Sequence, residues 1–592
     1  MMRPETVLLL CGGLFAVCLP VFGGDASSVA DEELFNMSIE DLMEVEVVSA
    51  SRRAQTVGES AAQVTVITAE DIHYSGLTSI PEILRLAPGV DVQRLDKSRY
   101  VVSIRGFQDS VSDRVLVLIN GRAANNPVMA GINWESFPVL IEDIARIEIV
   151  RGPSGAAWGA NAENGVINII TKKAGETEGV FASTTIDEYG DSYTHIRVSD
   201  VYKKWSWRLS TGYEDQEDSD ESGAGRYTSF KPSLNSFMGY SGFEARDFSR
   251  NWRFDFEARR KYEDGTEFSF GVAHSNLETG DHEFVGYFPM RDSLTNSTRM
   301  FARVDRQLDS GDSFYVQWFG NYFASHVGNQ IRRYSYFEND LEGQYNIAPF
   351  AGHEVSFGGN VRMTRISATN GPDIEEVRFH NEPYNEYWWG AFVTDRFDLT
   401  DRLTIENQAR VDHYSVTDYD WSLRSTGLYG LDENRDHVLR LSFARSFRSP
   451  AAGLRDTTSS YLEMAPGSNV YLFNTLRPVK DLANENIWSI EGGYSGLFAD
   501  GFSVNVNTYY QRYEDIISGM KILSALTIRL LGGLPTVLLR MVTGRTLMGE
   551  KLKLRLLVRS TGCRGGMLIT HLRQVTLTVI SGPVTRQTIR PG

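Results

Sequence analysis

Side chains able to do covalent chemistry are present, but none stands at the spacing such chemistry requires. The ten histidines are scattered, and neither H-E-x-x-H nor G-x-S-x-G occurs. A helix-borne zinc pair and a nucleophile elbow are therefore both missing. Gly165 is followed by Val166 where a phosphate-cradling loop would need Lys, and no G-x-G-x-x-G is present, which removes nucleotide readings. Carboxylates are abundant but no motif pairs them. The cysteines, Cys11, Cys18 and Cys563, supply no disulfide framework. We expect no catalytic residue, no metal site and no cofactor, and the residues that matter must work by non-covalent contact.

The elements that would position them fall into two kinds. Residues from about 45 to 175 read as a small α+β domain. Gln63–Thr68 alternates as a short strand. Ser79-Ile80-Pro81-Glu82 then has the form of a helix start, with a capping Ser, a Glu three residues on and a Pro tolerated in the first turn. Ile80, Ile83, Leu84 and Ala87 share one face, and Pro88-Gly89 stops the helix. Short strands are predicted at Val101–Ile104, Val115–Ile119, Ile147–Val150 and Val166–Thr171, separated by turn-rich segments such as Asn120-Gly121 and Gly152-Pro153.

From about 178 to 519 a period of two dominates. Leu403, Ile405, Ala409 and Val411 oppose Thr404, Glu406, Gln408, Arg410 and Asp412. Phe502, Val504, Val506 and Tyr510 oppose Ser503, Asn505 and Asn507, and similar patterns cover Phe314–Tyr322 and Leu439–Phe443. One apolar and one strongly polar face suits a barrel with lipid outside and water within, or a soluble β-sandwich with a solvated face. Asp215–Gly225 and Pro372–Glu386 read as long loops.

The two ends carry separate signals. Arg3, an apolar run from Val7 to Val17 and small residues at Gly23, Gly24 and Ala26 make a secretory signal over residues 1–24, the run being too short to span a bilayer as an anchor. Net charge is −17, but from Met520 to Gly592 twelve Lys/Arg face one acid, Glu550, a local +11 that leaves −28 on the first 519 residues. That last stretch holds no Phe, Trp or Tyr in a chain that is 11% aromatic. A basic tail for nucleic acid or anionic lipid is one reading. The preferred one is a shift of reading frame near Gly519–Lys521, since a basic tail rarely lacks every aromatic while staying leucine-rich. No nucleic-acid partner is expected.

Four blocks in order carry a family resemblance: Pro88-Gly89-Val90; Val102-Ser103-Ile104-Arg105-Gly106-Phe107; Val115 through Arg122; and Ile144 through Pro153, leading to Trp158-Gly159-Ala160-Asn161-Ala162 and Gly165 through Lys172. Together they resemble the plug domain of TonB-dependent receptors. Ala444–Pro450 and Asn486–Tyr494 resemble barrel motifs of the same family. The resemblance implies a mainly β chain: a transmembrane antiparallel β-barrel filled by an N-terminal α+β plug domain. It divides the chain into a signal (1–24), a periplasmic segment (25–50), a plug (51–177), a partial barrel (178–519) and an aberrant basic tail (520–592). Family barrels have roughly 22 strands, and the stretch here makes about 17 at roughly 20 residues each. Family barrels also close on an aromatic residue, and this chain ends Arg590-Pro591-Gly592.

The implied function is active uptake of a scarce nutrient across the outer membrane, with no enzyme activity. A ferric siderophore or similar metal chelate is expected first, then cobalamin, with a binding-only surface receptor or adhesin as the other class. A passive porin would need an open lumen. Haem is disfavoured because no His lies between Pro450 and Gly493. The implied partners are TonB with its inner-membrane energising complex, a small-molecule chelate and outer-membrane lipid. Glu44-Val45-Glu46-Val47-Val48-Ser49-Ala50 sits where the TonB-pairing segment should be. Its β-branched residues suit strand addition, although Val45–Val48 also reads as a first plug strand. Only about 20 residues precede it after the signal, too few for a signalling domain. By the resemblance, outward plug loops offer Asp96, Lys97, Ser98 and Arg99, and Asn125, Asn126, Pro127 and Trp134, to the substrate. Arg105 and Arg151 would pair with barrel glutamates, for which Glu406 and Glu491 are the candidates.

Overall fold

The structure is a computed structural model, and it describes residues 45–94, 97, 99–106, 114–128, 131–217, 248–280, 292–327, 331–369, 377–379, 383–464, 470–476, 482–498, 502–516, 526–530, 537–539, 552–564 and 567–579. The first elements are β1 (Glu46–Val47) and β2 (Gln55–Thr56), an antiparallel pair. β3 (Gln63–Thr68) leads into α1 (Ala69–Ser75) and α2 (Ile80–Leu84), and β4 (Val90–Arg94) pairs with β5 (Tyr100–Ile104). β6 (Val115–Ile119), β7 (Arg122–Ala123), β8 (Ile144–Arg151) and β9 (Gly165–Thr171) join β3 in a sheet of order β3-β8-β9-β6-β7, and α3 (Gly155–Trp158) lies between β8 and β9.

α2 forms where its spacing predicts. Ser79 accepts the Glu82 amide at 3.4 Å, and Ile80, Ile83, Leu84 and the following Ala87 are buried. α1 was not anticipated. Thr68 and Asp71 make a reciprocal capping box, with bonds of 3.1 and 2.8 Å, and Gly76 ends the helix at φ 67°. With Ile72 as its one buried residue, α1 shows no apolar stripe to a sequence reading. The core of this domain comes from Ile67, Ile83, Leu84, Ile104, Val117, Ile147, Ile149, Ile167 and Ile169. Each fully buried aliphatic of this kind contributes about 2 kcal/mol.

The second body is one antiparallel sheet of fifteen strands running from Gly179–Ile186 to Phe502–Glu514, each paired with the next in the sheet. Burial inverts the soluble rule. Leu441 is 66% exposed and Ser442 2%, while Val316 is 47% exposed and Gln317 2%. Polar residues face inward onto the plug and apolar ones face out, the arrangement of a barrel in lipid rather than a sandwich in water. No helix among the described residues is long and apolar enough to cross a membrane.

Among the described residues fifteen strands, rather than about 17, form the sheet, because long connections such as 217–248 and 449–484 consume more chain than assumed. Further strands, Val377–Phe379, Thr457–Met464, Val470–Leu476, Leu526–Leu530 and Val537–Leu539, form a separate sheet. Both expected loops are narrower than predicted: Asp215 and Gln216 still belong to a strand, and Tyr384–Glu386 begin one. Among the described residues no pairing joins the first strand of the large sheet to the last. Leu552–Arg564 and Met567–Val579 pair with each other and not with that sheet.

The connections give the barrel two unlike ends. Residues 203–204, 262–265, 308–312, 348–352, 401–402 and 431–436 are tight turns at one end. At the other end, connections such as 217–248, 280–292 and 449–484 are long. Barrels of outer membranes have short periplasmic turns and longer extracellular loops, so the long-loop end faces outward.

Candidate functional site

Three groups of residues hold the plug in the barrel. Around mid-height, Arg105 takes φ 60°, which aims its guanidinium at the wall. It donates to both Glu491 oxygens, at 2.7 and 3.4 Å, and lies 4.1 Å from the Tyr509 ring centre. Gly152 makes room for this pair: at φ 90°, a Cβ there would stand 2.2 Å from Glu491 Oε1. Arg151, the neighbouring residue, behaves differently. Its Nη2 donates to Thr65 across the plug sheet at 2.6 Å, and its side chain packs by Gly89. It reaches neither Glu406 nor Glu491, because strand alternation on β8 turns it to the plug's own sheet. Burial, with Arg105 nearby, pushes its guanidinium down to about 10. Glu406 does meet the plug, but through an amide: Gln55 Nε2 donates to it at 2.8 Å, and its arginine, Arg396 at 3.6 Å, belongs to the barrel.

Two plug arginines escaped the sequence reading. Arg114 bridges Glu163 of the plug at 2.7 Å and Glu485 of the barrel at 2.8 Å, and Arg448 also donates to Glu485 at 2.9 Å. Arg52 donates to Glu342 at 2.8 Å and lies 4.3 Å from the Trp158 ring centre and 4.7 Å from that of Phe392. Burial disfavours its charge, but Glu342 outweighs that and holds its guanidinium above the usual arginine range. The barrel partners, Glu485 and Glu342, lie hundreds of residues away in sequence, so no local pattern announces them.

At the short-turn end lies the segment read as a TonB-pairing strand. Glu44 is outside the described residues. Glu46 and Val47 pair with Thr56 and Gln55. The amides of Val48 and Ser49 donate to Glu148 Oε2 at 3.1 and 3.0 Å, the Ser49 hydroxyl donates to the same oxygen at 2.5 Å, and Trp158 Nε1 donates to the Ser49 carbonyl at 2.7 Å. Val47, Ser49 and Ala50 are buried and Glu46 is exposed. The segment is thus docked as a first plug strand, with one edge of Glu46–Val47 taken by β2.

At the long-loop end the predicted substrate residues divide. Asp96 and Ser98 are outside the described residues. Lys97 bridges to Asp191 of the first barrel turn at 2.8 Å, and Arg99 is exposed. Asn126 donates to the Tyr334 hydroxyl at 3.2 Å, while the carbonyls of Pro127 and Val128 accept the amides of Ala452 and Gly453 at 3.0 and 2.6 Å. Trp134 does not present itself to the mouth, whereas Asn125 lines the same cavity as Asn126 and Pro127. The Asn125 amide caps β6, accepting from Val117 at 2.9 Å and donating to Val115 at 3.0 Å. Trp134 is 5% exposed and packs 5.4 Å from Phe137 in the core, since a large apolar ring gains more there than in water.

The arrangement binds and blocks; among the described residues no group of three or more His, Cys, Asp or Glu could hold a metal ion. The family described as TonB-dependent Receptor Plug Domain matches residues 56–166, and TonB dependent receptor-like, beta-barrel, matches residues 187–523. Among curated proteins, the chain is 25% identical over 484 residues to a vitamin B12 transporter BtuB of Vibrio vulnificus, covering 80% of this chain and 70% of that one. It is 24% identical over 499 residues to an iron-regulated outer membrane virulence protein of Vibrio cholerae, covering 80% and 69%. The fold is similar to that of the siderophore receptor PirA of Acinetobacter baumannii (TM-score 0.59, 17% identity, 87% of this chain and 76% of that one). It is likewise similar to the alcaligin outer membrane receptor FauA of Bordetella pertussis (TM-score 0.56, 15% identity, 90% and 95%).

Proposed function

The chain belongs to the TonB-dependent receptors, plugged β-barrels of the outer membrane, and on that premise we propose that it imports a ferric siderophore or similar metal chelate under the pull of TonB, without a catalytic step. The observation that carries this reading is the fastening of the plug to the wall by buried ion pairs, Arg105–Glu491, Arg114–Glu485 and Arg52–Glu342. A lumen filled in this way passes nothing by diffusion, and the outer membrane has no ion gradient or nucleotide to move the stopper. Work must then enter from the periplasm.

In this reading Glu44–Ala50 is the point of attachment. Its described part, residues 45–50, lies at the short-turn end, and strand addition to Glu46–Val47 requires its release from β2, Glu148 and Trp158. Lys97, Arg99, Asn126 and Pro127 form the plug's share of the substrate surface. Arg94 and Arg99 give that surface cations suited to an anionic chelate, while Lys97 is paired with Asp191 at 2.8 Å; Arg94 Nη2 donates to the Lys97 carbonyl at 3.4 Å. Cobalamin is the second reading, favoured by the 25% identity to a vitamin B12 transporter. The frame shift near 519–521 is kept, supported by the end of the barrel match at residue 523 and by the aromatic-free, basic composition beyond it. Resequencing codons 510–530 tests it, and an uninterrupted frame rejects it.

The uptake test uses a gene with the frame restored, in a strain lacking its other receptors of this kind. Radiolabelled ferric chelates and cyanocobalamin are offered with and without TonB. Uptake should require TonB and should vanish on deletion of residues 44–50 while surface binding persists. Uptake without TonB, or free ion conduction by the purified protein in a bilayer, overturns the reading.

A further inference from the structure

We propose that the flank of the plug carries a second binding site, separate from the mouth, for one neutral hydroxylated aromatic molecule of one or two rings. The site is a cavity of about 290 Å³, open on one side, lined by α1, α2 and residues 134–142 of the plug and by the first four barrel strands. Asn126 and Pro127 of the mouth line a different cavity of about 80 Å³, and Lys97, at the border, is shared between the outer surface and the flank cavity.

Size and lining define the guest. An apolar cavity of about 150 Å³ holds benzene, so this volume accepts a fused pair of rings. Leu77, Trp134, Phe137 and Leu140 give it apolar and aromatic walls, against which a planar ring packs. The polar requirement comes from His195, which lines the cavity at 6% exposure. Neither of its ring nitrogens has a hydrogen-bond partner among the described residues, and the nearest carboxylate oxygen, Asp143 Oδ1, stands 3.7 Å from Nε2. A buried imidazole left in this state is unfavourable, and a hydroxyl on the guest can donate to one nitrogen or accept from the other.

Charge excludes anionic guests. The cations of the lining, Lys97 and Arg253, are already paired with Asp191 at 2.8 Å and Glu214 at 2.6 Å. A carboxylate or phosphate would have to displace a carboxylate from one of them, whereas a phenol need not. The guest touches plug and wall together, so it stabilises the docked plug by an amount that grows with the logarithm of its concentration above Kd, and it opposes the motion that uptake requires.

The test uses the full chain in detergent and two fluorinated probes of nearly equal size, a fluoronaphthol and a fluoronaphthalene, followed by fluorine NMR. The naphthol should show a saturable bound resonance at one per protein and bind at least about tenfold more tightly than the naphthalene, the difference expected of one added hydrogen bond to a buried group. His195→Leu should erase that preference without weakening the naphthalene, and His195→Gln should keep part of it. Absence of a saturable resonance overturns the proposal, as does equal affinity for the two probes or an equal loss of both in His195→Leu. If His195→Leu does not fold, the comparison of the two probes on the unaltered protein decides alone.

Discussion

Arg52→Ala should loosen the plug at its periplasmic end more than any change to a neighbouring surface charge. Arg52 and Glu342 are 5% and 8% exposed as side chains and 2.8 Å apart. Removing one partner of a buried pair costs about 3–5 kcal/mol, because the other charge is left without compensation. Glu342 would keep the Tyr315 hydroxyl at 2.8 Å and Gln317 Nε2 at 3.0 Å, which argues for the lower end. The loss of the guanidinium from between Trp158 and Phe392 adds back about 1 kcal/mol. The expected total is about 3–4 kcal/mol, or more than a hundredfold in the equilibrium for local opening. Hydrogen exchange at the Val48 and Ser49 amides reads that opening, since both donate to Glu148 and lie four and three residues before the mutated side chain. Arg53→Ala is the control: its partner Glu354 is 3.7 Å away and the side chains are 29% and 47% exposed, so at most about 1 kcal/mol is at stake. If Arg52→Ala accelerates exchange less than about threefold, or no more than Arg53→Ala, the pair does not hold the segment and the reasoning from buried charge is wrong.

Gly152→Ala should break the Arg105–Glu491 pair, because the new Cβ meets Glu491 Oε1 at 2.2 Å and the φ of 90° is itself strained; a loss of about 2–4 kcal/mol in plug stability is expected, read by thermal unfolding. Leu441→Arg on the lipid face should cost about 2–4 kcal/mol in folding into bilayers, whereas Leu441→Ile should be nearly neutral, and equal effects would mean that this face does not meet lipid. The plug should also lose stability in acid through Asp143. Burial raises that carboxyl, but Arg208, His195, Ser210 and Arg197 outweigh it and hold it below its usual 3.8. A depressed native value means the stabilisation is complete above about 3.8 and is lost as pH falls through the lower native value, so Asp143→Asn should flatten the acid limb of a melting-temperature profile. A mutant profile parallel to the parent's down to the acid end refutes it.

The sequence reading reached the plug's strands because β6 and β9 are nearly unbroken apolar runs, Val115–Ile119 and Gly165–Thr171, that only a sheet buried on both faces explains. It reached α2 through Ser79 and the spacing of Ile80, Ile83 and Leu84, and it passed over α1, whose cap at Thr68 and Asp71 was legible although its apolar stripe was not. In the barrel, alternation told which residues share a face but not which face was wet. Glu406 and Val411 could equally have pointed either way until the plug was placed inside. The site was least legible. Arg105 and Arg151 look alike in sequence, both arginines beside a glycine of the plug, yet one reaches the wall and the other turns to Thr65, because the direction of a side chain depends on the strand or turn that bears it. Trp134 reads as outward for the same reason: position in a loop is visible in sequence, and the core that claims the ring is not.

The division of chemistry between core and interface bears on how such a plug can move at all. The large apolar cluster is built wholly from plug residues, Ile67 through Ile169, with no barrel side chain in it. What joins plug to wall is polar: Arg105–Glu491, Arg114–Glu485, Gln55–Glu406, and the Asn161 amide on the Phe447 carbonyl at 3.2 Å. An apolar interface of the same extent would resist separation through the area exposed, at about 25 cal/mol per Å². A polar one can exchange each bond for a bond to water, so the net cost of opening is a fraction of the gross. One exception among the described residues is the small cluster at the outer end, where Val128 packs with Phe323, Tyr334, Tyr336, Ile366 and Ala452. A pull from the periplasm therefore meets its stiffest apolar contact farthest from the point of attachment. It should release the Arg52 end first and the Val128 end last, and Val128→Ser should ease the final step while leaving exchange at Val48 and Ser49 unchanged. If Val128→Ser accelerates exchange at those two amides as well, the plug yields as one block and the ordered release is refuted.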